Sequence, residues 1–292
     1  MAEALKCVRE LIQATAAFFE KRGVDSARLN AERLLGHVLG LARIDLYLNH
    51  DRPLAPEEID RYRELVRRRA AGVPLQTLLG ETEFYGRVFQ VERGVFIPRP
   101  ETERLVEAAV RLLTGGTSSW LAPLALEIGC GTGAVACSLA AEIPRLRVHA
   151  SEIDPLAAAL ARANARRLGV AARVEVHEGS WCGPFPSTLR GHAHLLVSNP
   201  PYVRRGDLAG LPREVSEHDP VAALDGGPDG LDAYRAIARE APAWLMPGGW
   251  IALEIGEDQA LDVTGLLKDA GFSSLTVKKD YCDRDRVVTG RL

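Results

Sequence analysis

From residue 124 onward, short apolar runs alternate with longer segments rich in alanine and leucine. The predicted strands lie at 124–128, 147–152, 173–178, 194–198 and 250–255, and the predicted helices at about 133–142, 155–168, 229–245 and 257–270. Because parallel strands need a long crossover, usually a helix, this alternation predicts an α/β fold with a parallel sheet. Two further strand-like runs, 274–280 and 286–291, are separated only by a short polar turn. We therefore expect seven strands, with the last one antiparallel.

The part of the chain before the sheet follows a different pattern. From residue 3 to about 71, apolar residues recur every three or four positions, which predicts short amphipathic helices. Five arginines between positions 61 and 69 are expected to form a solvated helix face. The segment GETEFYGRVFQVERGVF then alternates between apolar and polar residues and contains glycines, which predicts a hairpin. The expected organisation is a helical bundle at 1–79, a hairpin linker at 80–96 and an α/β domain at 97–292.

Composition and charge exclude several classes of protein. The chain has 292 residues, of which 47% are hydrophobic and 26% charged, so an ordinary globular protein is expected rather than a disordered one. There are 14 basic and 13 acidic residues before position 91 and 22 and 26 after it, which is not the basic footprint of a nucleic-acid binder. No apolar run approaches the ~20 residues of a membrane span. Five scattered cysteines without a C-x-x-C pair favour neither a disulfide framework nor a zinc site, and indicate a reducing compartment, the cytoplasm.

A glycine-rich turn follows the first strand of the sheet and opens a helix. It consists of Gly129, Cys130, Gly131, Thr132 and Gly133. In such a turn, backbone N–H groups can approach a ligand closely. Glu152, at the end of the second strand, can accept hydrogen bonds from both hydroxyls of a ribose. These features predict a nucleoside cofactor, and both NAD and S-adenosylmethionine fit them at this point.

A proline-rich turn, Ser198-Asn199-Pro200-Pro201-Tyr202, follows the fourth strand. The two prolines stiffen the chain and remove two backbone donors, so the turn presents mainly acceptors. The Asn199 side-chain oxygen and the Pro200 carbonyl can accept both N–H bonds of a planar amino or amide group, and Tyr202 supplies a flat wall.

These acceptors suit the methylation of a poorly nucleophilic amide or aromatic amine nitrogen. Holding both hydrogens favours pyramidalisation of the nitrogen and directs its lone pair at an electrophilic methyl group. Positioning and electrostatics then supply most of the catalysis. The alkylated nitrogen is acidic, so no strong general base is needed. The proline-rich turn therefore favours S-adenosylmethionine over NAD.

Together these motifs closely resemble the HemK/PrmC family, the protein-(glutamine-N5) methyltransferases that modify peptide chain release factors. The resemblance covers nearly the whole chain and includes DSARLNAERLLGHVLGL, PLQTLLGETEFYG, IPRPETE, EIGCGTG, SNPPY, ALDGGPDGLDAYRAI, LEIGEDQ and DRVVTG. SNPPY is shared with amino-directed DNA methyltransferases, whereas IPRPETE together with DGLDAYR is much more specific. The resemblance implies a seven-stranded, Rossmann-like methyltransferase sheet. It also implies transfer of a methyl group from S-adenosyl-L-methionine to the glutamine of a Gly-Gly-Gln motif in class I release factors.

The resemblance also implies roles for individual residues. Cofactor contacts are expected from Gly129, Cys130, Gly131, Thr132, Gly133, Glu152, Trp181 and Asn199. Substrate contacts are expected from Asn199, Pro200, Pro201 and Tyr202, of which Asn199, Pro200 and Tyr202 are expected to be catalytic; no metal is implied. Ser180 stands where the family often has an aspartate that contacts adenine. Glu127 stands where an aspartate is common, and this replacement is expected to preserve the charge.

Two alternative functions compete with this interpretation. An amino-directed DNA or RNA methyltransferase would use the same proline-rich turn on a flipped base. It predicts a basic groove and a target-recognition region, which the charge distribution does not indicate. A non-enzymatic nucleotide-binding module would have no reason to carry amide acceptors beside the glycine-rich turn.

The connection from Val203 to Gly230 is longer than most loops in compact domains, which usually indicates a functional loop. Four apolar residues within it, Leu208, Leu211, Val215 and Leu224, can anchor it. We expect this connection to border the substrate channel.

Overall fold

The computed structural model describes residues 7–115 and 120–292. Residues 3–6, where the predicted helical segment begins, lie outside the described residues. The chain divides into two compact units, one of residues up to Gly80 with Arg213–His218, the other of Glu81–Pro212 with Asp219–Leu292. No helix within the two described ranges is long and apolar enough to cross a membrane.

The described residues form helices and strands in the following order. The α-helices are α1 (Val8–Lys21), α2 (Ala27–Leu39), α3 (Arg43–Leu48), α4 (Pro56–Ala70), α5 (Leu75–Leu79), α6 (Glu103–Thr114), α7 (Ala134–Glu142), α8 (Pro155–Arg167), α9 (Arg213–Ser216), α10 (Asp232–Glu240) and α11 (Ala260–Asp269). The strands are β1 (Glu81–Phe84), β2 (Arg87–Gln90), β3 (Leu124–Ile128), β4 (Arg147–Glu152), β5 (Val174–Glu178), β6 (Ala193–Ser198), β7 (Leu245–Glu254), β8 (Ser273–Lys279) and β9 (Asp285–Arg291). Six of the seven strands predicted for the sheet agree with these bounds to within one residue.

The first unit is a helical bundle with a core of its own. Its fully buried side chains include Val8, Phe19, Leu34, Leu35, Leu46, Leu54 and Tyr62. The Tyr62 hydroxyl donates a hydrogen bond to the Ala31 carbonyl at 3.2 Å, which satisfies its polar end within this core. Apolar residues at helical spacing therefore supply a continuous buried surface between α1, α2 and α4.

Arg69, near the end of α4, contradicts the expected solvated face of five arginines. Its side chain is only 4% exposed, while the other four arginines are exposed. Its Nε donates to Asn30 Oδ1 at 2.7 Å, its Nη1 to the Val73 carbonyl at 3.1 Å, and its Nη2 pairs with Glu214 at 2.5 Å. A guanidinium can be buried when its donors are satisfied in this way. The expectation is wrong for Arg69 because two of its three acceptors come from distant parts of the sequence.

The second unit contains a seven-stranded sheet with the order β5-β4-β3-β6-β7-β9-β8. The first five strands in this order are parallel, and β9 lies antiparallel to both β7 and β8. The predicted parallel sheet with an antiparallel last strand is therefore confirmed. Ile128 pairs with Ser151 of β4 and with Ser198 of β6, so these three strands end at nearly the same level.

Helices cover both faces of this sheet, as a parallel sheet requires. The first core cluster packs α6, α7 and α8 against one face and includes Phe84 and Phe89 of the β1–β2 hairpin. The second core cluster packs α10 and α11 against the other face and includes Tyr234 and Leu267. Alternate residues of β3 enter the two clusters, because successive side chains of a strand point to opposite faces.

Two predicted elements each have one end that differs by five residues from the structure, and two helices among the described residues, α6 and α9, have no counterpart in the prediction. Helix α10 ends at Glu240 instead of 245, because Pro242 has no N–H to continue it. Strand β7 begins at Leu245 instead of 250, because Leu245 pairs with Ala193 ahead of a register shift in β6. Helix α6, which follows the proline-rich segment IPRPETE, is not predicted from the sequence.

Candidate active site

The glycine-rich turn joins β3 to α7 at the carboxyl edge of the sheet. Gly129, Gly131 and Gly133 have φ values of 69°, 54° and 77°, a conformation that favours glycine. A Cβ atom at Gly129 or Gly131 would meet no other atom within 4 Å, whereas one at Gly133 would lie 3.1 Å from Ala161 Cβ. The first two glycines therefore leave open space for a ligand, and the third allows α7 to approach α8 closely.

Glu152 lies at the end of β4 beside this turn. Its Oε2 accepts the Gly131 N–H at 2.7 Å, and its Oε1 accepts the Asp154 N–H at 3.0 Å. A carboxylate has about four lone-pair sites, so the side chain can accept two further hydrogen bonds. The expected contact with two ribose hydroxyls has the acceptors it requires, and it stays a prediction.

Glu127, two residues before the turn, is buried beneath it. Burial raises the pKa of this carboxyl well above its usual value; the Ala136 N–H lowers the pKa by less, and Glu152 raises it further. Within residues 7–115 and 120–292, its Oε2 has no hydrogen-bond partner. Burial thus opposes the charged form of Glu127, and the expectation that it preserves the charge of an aspartate stays a prediction.

The other residues expected to contact the cofactor contribute in different ways. Cys130 is buried, and burial raises the pKa of its thiol well above the usual value, so the sulfur stays neutral. Thr132 is 2% exposed, and its carbonyl accepts a hydrogen bond from Asn164 at 2.9 Å. Trp181 follows β5, has a φ of 54° and packs against the second core cluster. The structure brings the glycine-rich turn, Glu152 and Trp181 to the ends of three neighbouring strands.

The proline-rich turn follows β6 on the other side of β3. The Ser198 hydroxyl donates to the Ile128 carbonyl at 2.7 Å, which joins the ends of the two strands. Asn199 Nδ2 donates to Thr102 Oγ1 at 3.1 Å. Because this contact holds the nitrogen end of the side-chain amide, Oδ1 of Asn199 is left as an acceptor. The neighbouring Pro200 is buried, so its position is fixed by packing.

Thr102 and Glu254 are site residues that sequence reasoning missed. Glu254, at the end of β7, is 1% exposed, and burial raises its pKa to about 7. Thr102, Arg286 and Asn199 lower this pKa by less, and Glu101 raises it. Glu254 Oε2 has no hydrogen-bond partner. The motifs IPRPETE and LEIGEDQ contain Thr102 and Glu254, but the sequence does not indicate that both lie beside Asn199.

The Gln259 side chain and the segment from Gly226 to Gly230 hold the backbone of the proline-rich turn. Gln259 Nε2 donates to the Tyr202 carbonyl at 3.1 Å and to the Gly230 carbonyl at 3.2 Å. A Cβ atom at Gly226 would lie 2.9 Å from the Pro201 carbonyl oxygen, and one at Gly230 only 2.5 Å from that of Tyr202. Both positions therefore require glycine. Burial raises the pKa of Tyr202 to about 12, so its phenol is neutral and transfers no proton at neutral pH.

The two turns lie next to each other at the edge where open α/β sheets bind ligands. The glycine-rich turn presents open space beside the Glu152 carboxylate, and the proline-rich turn presents acceptors. A sheet of this order with these two turns at its carboxyl edge defines a methyltransferase of the S-adenosylmethionine-dependent class.

Comparisons with known proteins identify the family. The family model of the PrmC N-terminal domain matches residues 10–80, and that of the methyltransferase small domain matches residues 102–210. The release factor glutamine methyltransferase of Geobacter sulfurreducens is 44% identical over 285 residues, 98% of this chain and 96% of that protein. The one from Moorella thermoacetica is 45% identical over 266 residues, 90% of this chain and 91% of that protein. The chain belongs to the release factor glutamine methyltransferase family, which confirms the resemblance and the prediction of an enzyme.

Solved structures agree with the fold. A methyltransferase from Pyrococcus furiosus covers 71% of this chain and 89% of its own, with a TM-score of 0.50 and 19% identity. The catalytic domain of hMettl16 in complex with MAT2A 3′UTR hairpin 6 covers 69% of this chain and 74% of its own, with a TM-score of 0.54 and 15% identity. At these identities, the two structures support the methyltransferase sheet alone.

Proposed function

We propose that this protein methylates the side-chain amide nitrogen, N5, of the glutamine in the Gly-Gly-Gln motif of class I peptide chain release factors, using S-adenosyl-L-methionine. The observation that carries this proposal is the 3.1 Å hydrogen bond from Asn199 Nδ2 to Thr102 Oγ1, which orients Oδ1 of Asn199 as an acceptor beside the Pro200 carbonyl. The names of the two relatives, at 44% and 45% identity, support the release factor as substrate.

The glycine-rich turn and its neighbours are proposed to hold the cofactor. S-adenosylmethionine, when bound, supplies an electrophilic methyl group on a sulfonium centre. The open space at Gly129 and Gly131 admits a ligand to the backbone, and the free lone pairs of Glu152 suit the ribose hydroxyls. Cys130 and Thr132 contribute backbone groups, Gly133 allows close packing of α7, and Trp181 and Asn199 flank the cofactor.

The proline-rich turn is proposed to hold the glutamine amide. Asn199 Oδ1 and the Pro200 carbonyl accept the two amide hydrogens, Pro201 adds no competing donor, and Tyr202 provides a flat wall. These acceptors favour a pyramidal nitrogen with its lone pair directed at the methyl group. The nitrogen loses a hydrogen after it gains the methyl group, when it is acidic. No residue of the site has to act as a strong base.

Thr102 and Glu254 are proposed as positioning residues for Asn199. The Thr102 oxygen accepts the Asn199 amide hydrogen, so its own hydroxyl hydrogen is available to the Glu254 carboxyl group. Neither residue needs to touch the substrate. Together they prevent Asn199 from turning its amide over, which would replace the substrate acceptor with a donor.

The helical unit is proposed to dock the release factor. Three large side chains of α3 are unusually exposed for apolar residues, Ile44 at 66%, Tyr47 at 46% and Leu48 at 76%. Clustered exposed apolar groups often mark protein contacts.

A variant with both Ile44→Ser and Leu48→Ser should have a raised KM for intact release factor and an unchanged rate on a short Gly-Gly-Gln peptide. Leu261→Ser, at a position that is 87% exposed in the other unit, is the matched control. An unchanged KM in the double variant would contradict the docking role of α3.

We also propose that the reaction takes place in the cytoplasm. All five cysteines, each of which lies in the described part of the chain, are free, and three of them are buried. Free thiols of this kind suit a reducing compartment.

Labelling of three separate substrates tests the proposed function. The enzyme is incubated with methyl-labelled S-adenosylmethionine and, separately, with release factor, DNA and tRNA. Label should enter the release factor as N5-methylglutamine, and a release factor with glutamate in place of the Gly-Gly-Gln glutamine should remain unlabelled. Label in DNA or tRNA, with none in release factor, would support the nucleic-acid alternative instead.

A further inference from the structure

We propose that His149, Glu175 and His177 form a zinc site on one face of the sheet. His149 lies on β4, and the other two residues lie on the edge strand β5, which is parallel to it. The register pairs His149 with Glu175 and Ser151 with His177. Because alternate residues of a strand point to the same face, all three side chains project to one side. The site does not depend on the proposed methyl transfer.

The distances between the potential ligand atoms fit a zinc ion. His149 Nδ1 lies 2.9 Å from His177 Nε2 and 3.7 Å from Glu175 Oε2, and His177 Nε2 lies 3.7 Å from Glu175 Oε1. With metal–ligand distances of about 2.0–2.1 Å, two ligands of a tetrahedral zinc ion lie about 3.4 Å apart. The observed distances lie on both sides of this value, so small side-chain rotations are enough to admit the ion.

Neighbouring rings hold both imidazoles in place. The two rings are stacked with centroids 5.2 Å apart, and the Phe185 ring packs edge-on against His177 at 5.8 Å. A neutral imidazole offers a lone pair to a metal. A divalent cation between the two ring nitrogens and the carboxylate would be bound by all three groups.

The ligand types select zinc among the common divalent cations. Two imidazoles and one carboxylate, with a fourth position open to water, are a frequent zinc ligand set. Magnesium and calcium prefer oxygen ligands alone. The Glu175 side chain is 61% exposed, so the ion can enter from solvent. A bound ion would link the edge strand to β4 and stabilise the fold by binding only its folded form.

Zinc titration of the full chain tests the site. All proteins carry Cys282→Ser, because Cys282 is exposed and its thiol could bind zinc by itself. Competition with a chromophoric chelator should show one zinc ion per chain. A zinc concentration of about 100 times the Kd should raise the Tm by about 5 °C or more. Cobalt bound in place of zinc should give the visible absorption of a four-coordinate, tetrahedral site.

Three variants show whether these side chains are the ligands. His177→Asn and Glu175→Gln should each weaken zinc binding at least tenfold, whereas His37→Asn, at an exposed position in the other unit, should leave it unchanged. Glu175 is exposed enough for its variant to fold normally, which keeps the test valid if His177→Asn does not fold.

Absence of saturable zinc binding, or equal affinity in all three variants, would overturn the proposal. A Tm increase of the same size with magnesium would overturn the choice of zinc. Neither readout uses methyl transfer, so failure here leaves the proposed function unaffected.

Discussion

The glycine-rich turn after β3 and the proline-rich turn after β6 occupy equivalent places at one edge of the sheet but have opposite chemistry. Gly129 and Gly131 leave open space for a ligand beside the Glu152 carboxylate. Pro200 and Pro201 remove donors and leave carbonyl acceptors. The comparison shows how neighbouring strand ends can suit two different partners, one that needs open space beside a carboxylate and one that needs fixed acceptors for an amide.

Each turn also has a buried acid beneath it, and burial raises the pKa of both acids. In the described part of the chain, Glu127 and Glu254 each have one carboxylate oxygen without a hydrogen-bond partner. Burial raises the pKa of Glu127 well above its usual value but raises that of Glu254 to about 7. Thr102 and Arg286 lower the pKa of Glu254, whereas Glu127 has mainly one backbone N–H. The acid beneath the proline-rich turn therefore changes charge near neutral pH.

Glu254→Gln should have the largest effect, a gain in the free energy of unfolding of about 3 kcal/mol at pH 8 relative to wild type. The folded-state pKa of about 7 lies above the ordinary value of 4.5, so the unfolded chain releases this proton first. The wild type is therefore most stable, with respect to this group, below about pH 4.5 and loses stability as the pH rises towards 7. Glutamine cannot ionise and avoids this loss. Urea unfolding at pH 5 and pH 8 measures the difference; the same pH dependence in both proteins would contradict the raised pKa.

Glu152→Ala tests the glycine-rich side of the comparison and should weaken S-adenosylmethionine binding about tenfold or more. Each hydrogen bond to the carboxylate contributes roughly 1.5–3 kcal/mol, and tenfold corresponds to about 1.4 kcal/mol. Glu178→Ala, which removes an exposed acid at the end of the next strand, is the matched control. Calorimetry that gives equal affinities for both variants would show that Glu152 does not bind the ribose.

Thr102→Val tests the proline-rich side and should have the smallest effect, a fall in turnover of about threefold to tenfold. Valine has nearly the same shape but cannot accept the Asn199 amide hydrogen, and a neutral hydrogen bond contributes about 0.5–1.5 kcal/mol. Thr102→Ser keeps the hydroxyl and should remain close to wild type in turnover. The affinity for S-adenosylmethionine, measured alongside, should stay constant. Equal turnover in the valine and serine variants would remove Thr102 from the positioning of Asn199.

Most of the sheet could be predicted because its central strands, such as β3 and β6, are largely buried apolar runs and clear helices separate the parallel strands. Helix α6 was harder to identify, since it directly follows a proline-rich segment that indicates a loop. The start of β7 was also hidden, because Pro247 and two glycines interrupt it. Helices and strands with a regular apolar pattern can thus be predicted from local sequence. The prediction fails for elements that contain prolines and glycines or lie beside them.

Both turns of the site could also be predicted from sequence, because each turn is one continuous segment at the end of a strand. Their supporting residues could not. Thr102 lies 97 residues before Asn199. The burial of a polar side chain depends on partners that only the folded chain brings together, so the states of Glu127 and Glu254 also require the structure.

Substitution of Asn199 tests the central claim, that the proline-rich turn holds the substrate amide, most directly. The measurement is single-turnover methylation of release factor with saturating S-adenosylmethionine, so that a binding defect cannot imitate a chemical one. Asn199→Ala should lower the rate roughly 100-fold or more, with a much smaller change in cofactor affinity. Asn199→Asp, which keeps an acceptor of the same shape, should retain more activity than Asn199→Leu, which has similar bulk and no acceptor. Equal rates for the Asp and Leu variants, or an Ala variant close to wild type, would contradict the claim and leave the proline-rich turn with a purely structural role.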